Sequence, residues 1–234
     1  MEVATLVLLH SPLVRASTWG ELPSRLRERG YDVVVVDVAD DDEPPYAATY
    51  VARAAQQVTA AAPSPPIGLV GHSGAGPLLP QLGFAQRAAR RRVGAYVFLD
   101  ATLPRASSTR LDLLRAEDGD LAHRLRADLG RGVLVPTWTD EDLAASGLTT
   151  AQRADVLSAV RPRGLAFFEE PLPHPDDWPD APCGYLQTSR AYDPAARVAG
   201  LRGFAVTRAE GGHFAALAAP AQLAGSLADL VVRM

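Results

Sequence analysis

The sequence predicts an α/β protein: a doubly wound, mostly parallel six-stranded sheet with a helical lid inserted after the fourth strand. Three observations predict it. Short β-branched runs alternate with segments of helical periodicity at both ends of the chain. The runs are almost continuously apolar, as strands covered on both faces are. The alternation breaks once, over residues 101–182, and then resumes.

Taken in order, Val3 to Leu9 reads as a first buried strand, and Trp19 to Arg29 as a helix ended by Gly30. YDVVVVDV, Tyr31 to Val38, is a second buried strand, followed by an acidic, proline-containing loop, DDDEPP. Tyr46 to Ala62 is a helix stopped by PSPP. Ile67 to Val70 is the third strand, with a helix from about Pro77 to Arg90, and AYVFLD at 95–100 is the fourth. The 101–182 insert carries helical stretches near 108–129 and 149–160 and a proline-rich return, EEPLPHPDDWPDAP. An insert of that length between neighbouring strands suggests a cap over a site. CGYLQTS from Cys183 is the fifth strand, Pro194 to Ala199 begins a short helix, Phe204 to Arg208 is the sixth strand, and Pro220 to Val232 is the last helix. The expected division is a core of 1–100 and 183–234 with a helical lid of 101–182.

Composition excludes several function classes. A chain of 234 residues with a net charge of −4 has no basic footprint for nucleic acid. The single cysteine, Cys183, excludes an intrachain disulfide and any multi-cysteine metal site. All 23 basic residues are arginines, so no lysine is present for a Schiff base. No apolar run reaches the ~20 residues that span a bilayer, and MEVATLVLLHSP reads as a strand, not a signal peptide. A cytoplasmic protein needing no metal or organic cofactor is the expectation.

The chemistry concentrates at IGLVGHSGAG, residues 67–76. Strand, Gly-x-Ser-x-small, helix is the setting of a nucleophile held on a strained turn. Gly71 and Ala75 are the small neighbours that Ser73 needs, and the Gly74 N–H is the natural first oxyanion donor. A glycine-rich phosphate loop is the weaker reading, because G-x-x-x-x-G-K-[ST] is absent and the chain has no lysine. Of the histidines, His213 in AEGGHFAALAAP lies between the last strand and the last helix, where it can swing over the serine. His72 points away from the turn as a core histidine, His123 and His174 belong to the insert, and His10 ends the first strand at the mouth of the site.

LLHSPLVRASTW, GHSGAG, VFLDATLP and EGGHF stand in the order serine first, histidine last. Together they resemble the α/β-hydrolase superfamily over essentially the whole chain, in a small form without the N-terminal β-hairpin. The resemblance implies a Ser-His-acid triad, a second oxyanion donor in the loop after the first strand, and no cofactor. Small relatives often form homodimers.

Two departures stand out. The usual His-Gly pair reads His10-Ser11, and the next residue is Pro12, which has no N–H. Leu13 N–H is the expected replacement donor, or else the Ser11 hydroxyl; His10, Ser11 and Pro12 would line the site. For the acid, Asp193 follows the fifth strand, but Asp193-Pro194 also reads as a helix start. Asp100, a carboxylate ending an apolar strand beside the one that carries Ser73, is preferred, with Asp193 the fallback. Trp19 is expected in the core. Trp138, Phe167, Phe168 and Trp178 are candidates for an apolar pocket beneath the lid, and Glu169 and Glu170 are expected to be solvated.

The expected activity is cleavage of a small-molecule ester or thioester through an acyl-enzyme. The alternative is an acyltransferase or thioesterase taking an aromatic or apolar acyl group from a carrier-protein thioester in natural-product biosynthesis, similar to a thiopeptide-pathway member. Lid arginines Arg110, Arg115, Arg124, Arg126 and Arg131 would then meet the acidic carrier, if they are not simply a solvated face. A lyase, cyclase or ligand-binding member on the same scaffold is the third possibility.

Overall fold

The computed structural model describes residues 3–39 and 42–234. Met1 and Glu2, and Asp40 and Asp41 of the expected acidic loop, lie outside the described residues. Six strands form one sheet: β1 (Thr5–Leu9), β2 (Asp32–Val36), β3 (Ile67–His72), β4 (Val93–Leu99), β5 (Cys183–Gln187) and β6 (Ala205–Arg208). Their order is β2-β1-β3-β4-β5-β6, and every pairing is parallel.

The alternation of side chains along a strand distributes two cores. Val7 and Leu9 of β1 face the same side as Leu69, Tyr96, Phe98 and Tyr185, where α2 (Tyr46–Ala61), α3 (Leu79–Ala88) and α8 (Asp193–Leu201) pack. Leu6 and Leu8 face the other side with Val70, Val97 and Leu186, against α1 (Leu22–Arg27), α9 (Ala215–Ala218) and α10 (Pro220–Arg233). This is the doubly wound arrangement the apolar runs imply. One strand departs from expectation: β2 is not buried, its residues ranging from exposed Asp32 to buried Val36. It is an edge strand, so β-branched residues there report strand propensity rather than burial.

Between β4 and β5 the chain forms α4 (Arg110–Glu117), α5 (Gly119–Gly130), α6 (Thr150–Ala159) and α7 (Leu165–Glu169). The helical region expected near 108–129 comprises two helices, α4 and α5. Asp118 ends the first with an extended backbone and caps the second through Leu121 N–H. Leu111, Leu129, Phe167 and Phe168 make a small core within the insert. Arg161 ties the insert to the sheet: its backbone N–H donates to Leu13 O at 2.8 Å, and its guanidinium reaches Val38 O and Ala39 O, both at 2.9 Å.

From β1 the chain runs to one side for β2 and then to the other for β3. The crevice beyond the carboxyl ends of β1 and β3 is therefore the switch point where open α/β sheets place their sites. Ser73 and the 10–13 loop both emerge there.

Candidate active site

Ser73 follows β3 directly and has φ of 56°, a left-handed backbone that costs a non-glycine residue about 1–2 kcal/mol. A 3₁₀ turn, Ser73–Leu78, leads into α3, so the helix expected from Pro77 begins as a tighter coil. The turn needs its glycines. A Cβ on Gly76 would stand 2.3 Å from Thr102 O, and one on Gly74 would stand 3.0 Å from Ser11 Oγ.

The strained serine is met by His213, whose Nε2 lies 3.1 Å from Ser73 Oγ. Gly211 and Gly212, at φ of 120° and 71°, turn the chain after β6 so that the ring reaches over the sheet edge. His213 Nδ1 is 2.9 Å from Asp100 Oδ2. Asp100 is itself left-handed, with φ of 43°, and its side chain is fully buried. Its Oδ1 accepts from Thr188 N–H and Ser189 N–H, each at 2.9 Å, and its Oδ2 also accepts from Ser189 Oγ at 2.6 Å. Burial alone would raise this carboxyl. The His213 hydrogen bond and charge, together with Ser189 and Thr188, outweigh it and hold Asp100 below its ordinary range.

Asp193 stands elsewhere. It opens α8, takes a hydrogen bond from Gln187 Nε2, lies 3.8 Å from Arg208 and is half exposed. His72 is a core histidine as expected. Its Nε2 bonds the His213 carbonyl at 2.9 Å, and its ring lies 4.5 Å from the His213 ring. Burial, then the charge of His213, lowers its pKa to about 3, so it stays neutral. A neutral Nε2–H donor then anchors the backbone of His213.

The loop after β1 corrects several expectations. His10 does not line the site. It is fully buried, its Nδ1 bonding Ser11 O at 2.8 Å while Nε2 accepts from Val38 N–H at 3.0 Å. Leu13 N–H is engaged within the loop: it donates to Ser11 Oγ at 3.3 Å. Pro12 is buried, its Cδ 3.6 Å from the Cβ position of Gly74. Ser11 Oγ thus lies against Gly74, on the flank of Ser73 away from Asp100, and its own proton enters no hydrogen bond among the described residues.

Beside Ser73 opens a cavity of about 530 Å³. Leu113, Leu125, Val135, Trp138 and Phe168 supply apolar wall, with Arg110 and Arg124 as cations. Phe168, Trp138 and Leu13 border this cavity. Phe167 does not: it is buried in the core of the insert beneath Arg110, whose guanidinium is 3.8 Å from the ring centroid. Trp178 packs edge-on against Tyr96, Phe98 and Phe204 in the main core, and Trp19 is buried on the opposite face. Glu170 is not solvated, since its Oε2 accepts from Ala47 N–H at 2.8 Å; Glu169 pairs with Arg126 at 2.9 Å.

One residue at the centre escapes sequence reasoning altogether. Tyr192 places its hydroxyl 3.2 Å from Ser73 Oγ and lays its ring parallel to His213, 5.2 Å between centroids at 6°. It follows β5 by five residues, and nothing in SRAYDP marks it. Among the described residues no group of His, Cys, Asp and Glu could hold a metal, and no helix is long and apolar enough to cross a membrane.

Solved structures with this fold span nearly the whole chain. An extracellular α/β-hydrolase from a Paenibacillus species, described as sharing structural and functional homology with tobacco salicylic acid binding protein 2, aligns with a TM-score of 0.77 and 19% identity. That alignment covers 97% of this chain and 98% of the other. A pyrethroid hydrolase from Sphingobium faniae aligns at 0.70 and 18%, covering 98% of each chain. Polyneuridine aldehyde esterase aligns at 0.68 and 17%, over 98% and 99%. At these identities the likeness speaks for the fold. No curated protein sequence matches the chain. The sequence model of the alpha/beta hydrolase family matches residues 6–226, from β1 into the last helix, and the chain belongs to that family.

Proposed function

We propose that this protein hydrolyses a small carboxylic ester or thioester through an acyl-enzyme. Ser73 attacks the carbonyl carbon. His213 Nε2 takes the serine proton and passes it to the leaving group, and Asp100 holds Nδ1–H and stabilises the imidazolium. Water, deprotonated by the same nitrogen, then releases the acid. The observation that carries this reading is the unbroken line from Ser73 Oγ through His213 to buried Asp100, at 3.1 and 2.9 Å, starting from a serine with φ of 56°. Gly74 N–H serves as one oxyanion donor and the Ser11 hydroxyl as the second, replacing the N–H that Pro12 lacks. Residues 101–182 act as the cap, and their apolar wall suits an apolar or aromatic acyl group.

Transfer to an acceptor other than water gains less support. Of the lid arginines, Arg115, Arg126 and Arg131 are each paired with a carboxylate of the insert, which leaves exposed Arg124 at the cavity as a small cationic surface for a carrier. Relatives of this fold that are named esterase and hydrolase agree with ester cleavage.

The test is a fluorophosphonate label weighed on the intact protein. One adduct is expected on the wild type, none on Ser73→Ala, and a strongly slowed reaction on His213→Ala. An unlabelled wild type would sink the acyl-enzyme.

A further inference from the structure

We propose that Tyr192 is a further catalytic residue: its hydroxyl is the hydrogen-bond donor for the leaving-group oxygen, on the flank of Ser73 opposite the oxyanion donors. The inference rests on the acyl-enzyme reading above and names a part that this reading leaves without a role.

The direction of each hydrogen bond follows from chemistry. Asp100 is ionised and only accepts, so His213 Nδ1 carries the proton facing it. Neutral His213 then presents a bare Nε2, which accepts from Ser73 O–H at 3.1 Å. With its proton committed, Ser73 Oγ can only accept from Tyr192, 3.2 Å away. The resting serine is thus held between a base and a donor.

That arrangement cannot survive acylation. As the bond between Ser73 Oγ and the carbonyl carbon forms, the serine proton moves to His213 Nε2, and Oγ becomes an ester oxygen, a poor acceptor. The Tyr192 O–H must find a new partner. Topology says where. Ser11 stands on the β1 flank and Gly74 turns its Cα toward it, whereas Tyr192 comes from beyond β5 and shares a stacked face with His213. The group standing next to protonated Nε2 is the departing oxygen, which accepts the proton from His213 as its bond to carbon breaks. Tyr192 holds that oxygen's remaining lone pair without losing its own proton. Run in reverse, the same hydroxyl holds the attacking water. Burial pushes the phenol up from its ordinary range, against the hydrogen bond to Ser73, so the donor persists across neutral pH. Tyr192 also lines the cavity, within reach of a bound ester.

Tyr192→Phe deletes only the hydroxyl and keeps the ring on His213, which makes the test specific. The assay is kcat/KM for p-nitrophenyl, phenyl and methyl hexanoates, with fluorophosphonate labelling and a melting curve alongside. A donor to the leaving oxygen matters most where that oxygen is most basic. The methyl ester should lose about 10- to 100-fold and phenyl an intermediate amount. The p-nitrophenyl ester and the label should change by less than about threefold, since they leave without help. An equal loss on all three esters makes the hydroxyl a mere orienter of Ser73 and overturns the inference. So does no loss on any, or a labelled wild type that turns over none of them. A wild type that takes no label fails earlier, at the acyl-enzyme reading itself, and is distinguishable on that ground.

Discussion

Replacing Asp100 with asparagine tests the acid more sharply than deleting it. The carboxylate accepts two backbone N–H groups on Oδ1 and the His213 and Ser189 side chains on Oδ2. In the variant an oxygen must stay on the Oδ1 side, because Thr188 N–H and Ser189 N–H have no other acceptor among the described residues. The amide nitrogen is therefore forced toward His213 and donates to Nδ1. The imidazole proton moves to Nε2, which can no longer take a proton from Ser73. The fold survives, while kcat/KM falls by about 10³- to 10⁴-fold, or about 4–5.5 kcal/mol of transition-state stabilisation. Asp193→Asn should stay within about twofold, because that carboxylate is half exposed and meets Gln187 and Arg208. Ester turnover by the two variants, with melting temperatures as a control, decides it. A loss below tenfold in Asp100→Asn, or an equal loss in Asp193→Asn, would refute the assignment.

Two further predictions come from groups near the site. Ser11→Ala removes the proposed second oxyanion donor and should lower kcat roughly 10²-fold with little change in KM or melting temperature; a change under threefold would return the role to a backbone N–H. Glu117, at the end of α4, has its carboxyl pushed by burial from 4.5 up to about 7. A folded pKa above the unfolded one means stability that is complete below pH 4.5 and lost as pH rises through 7. Glu117→Gln should therefore raise the melting temperature by a few degrees at pH 8, up to about 3 kcal/mol less solvent screening, and change nothing at pH 4. Equal shifts at both pH values would show the effect is not ionisation.

The sheet was legible because its order of apolar runs is a direct consequence of being covered on both faces. β2 misleads for a physical reason: valines suit any strand, and only the topology reveals that this one has a free edge. The Ser73 turn and the EGGHF loop could be read since each needs small residues at fixed spacing around a strained backbone. Which aromatic of the insert faces the cavity could not. Phe167 and Phe168 are adjacent on a helix of five residues; both are buried in the insert's core, and a 100° step lets Phe168 alone also border the cavity. The helical region expected near 108–129 divides in two because Asp118, followed by Gly119, interrupts a periodicity that otherwise runs on.

Tyr192 is the deeper omission, and its cause lies in the placement of the acid. Once Asp100 at the end of β4 supplies the carboxylate, the turn after β5 is free of that task. Thr188 and Ser189 of this turn still serve the acid by satisfying its oxygens, and the chain then continues to Tyr192, whose hydroxyl arrives at Ser73. Ser73 and Asp100 both hold left-handed backbones at the ends of neighbouring strands. The paired sheet behind them absorbs that cost, because relaxing either residue would break strand register with its neighbours. The strained backbones fix Ser73 and Asp100, His213 bridges them, and the turn after β5 brings in Tyr192. A residue whose place depends on the residue ending the neighbouring strand leaves no mark in its own stretch of sequence.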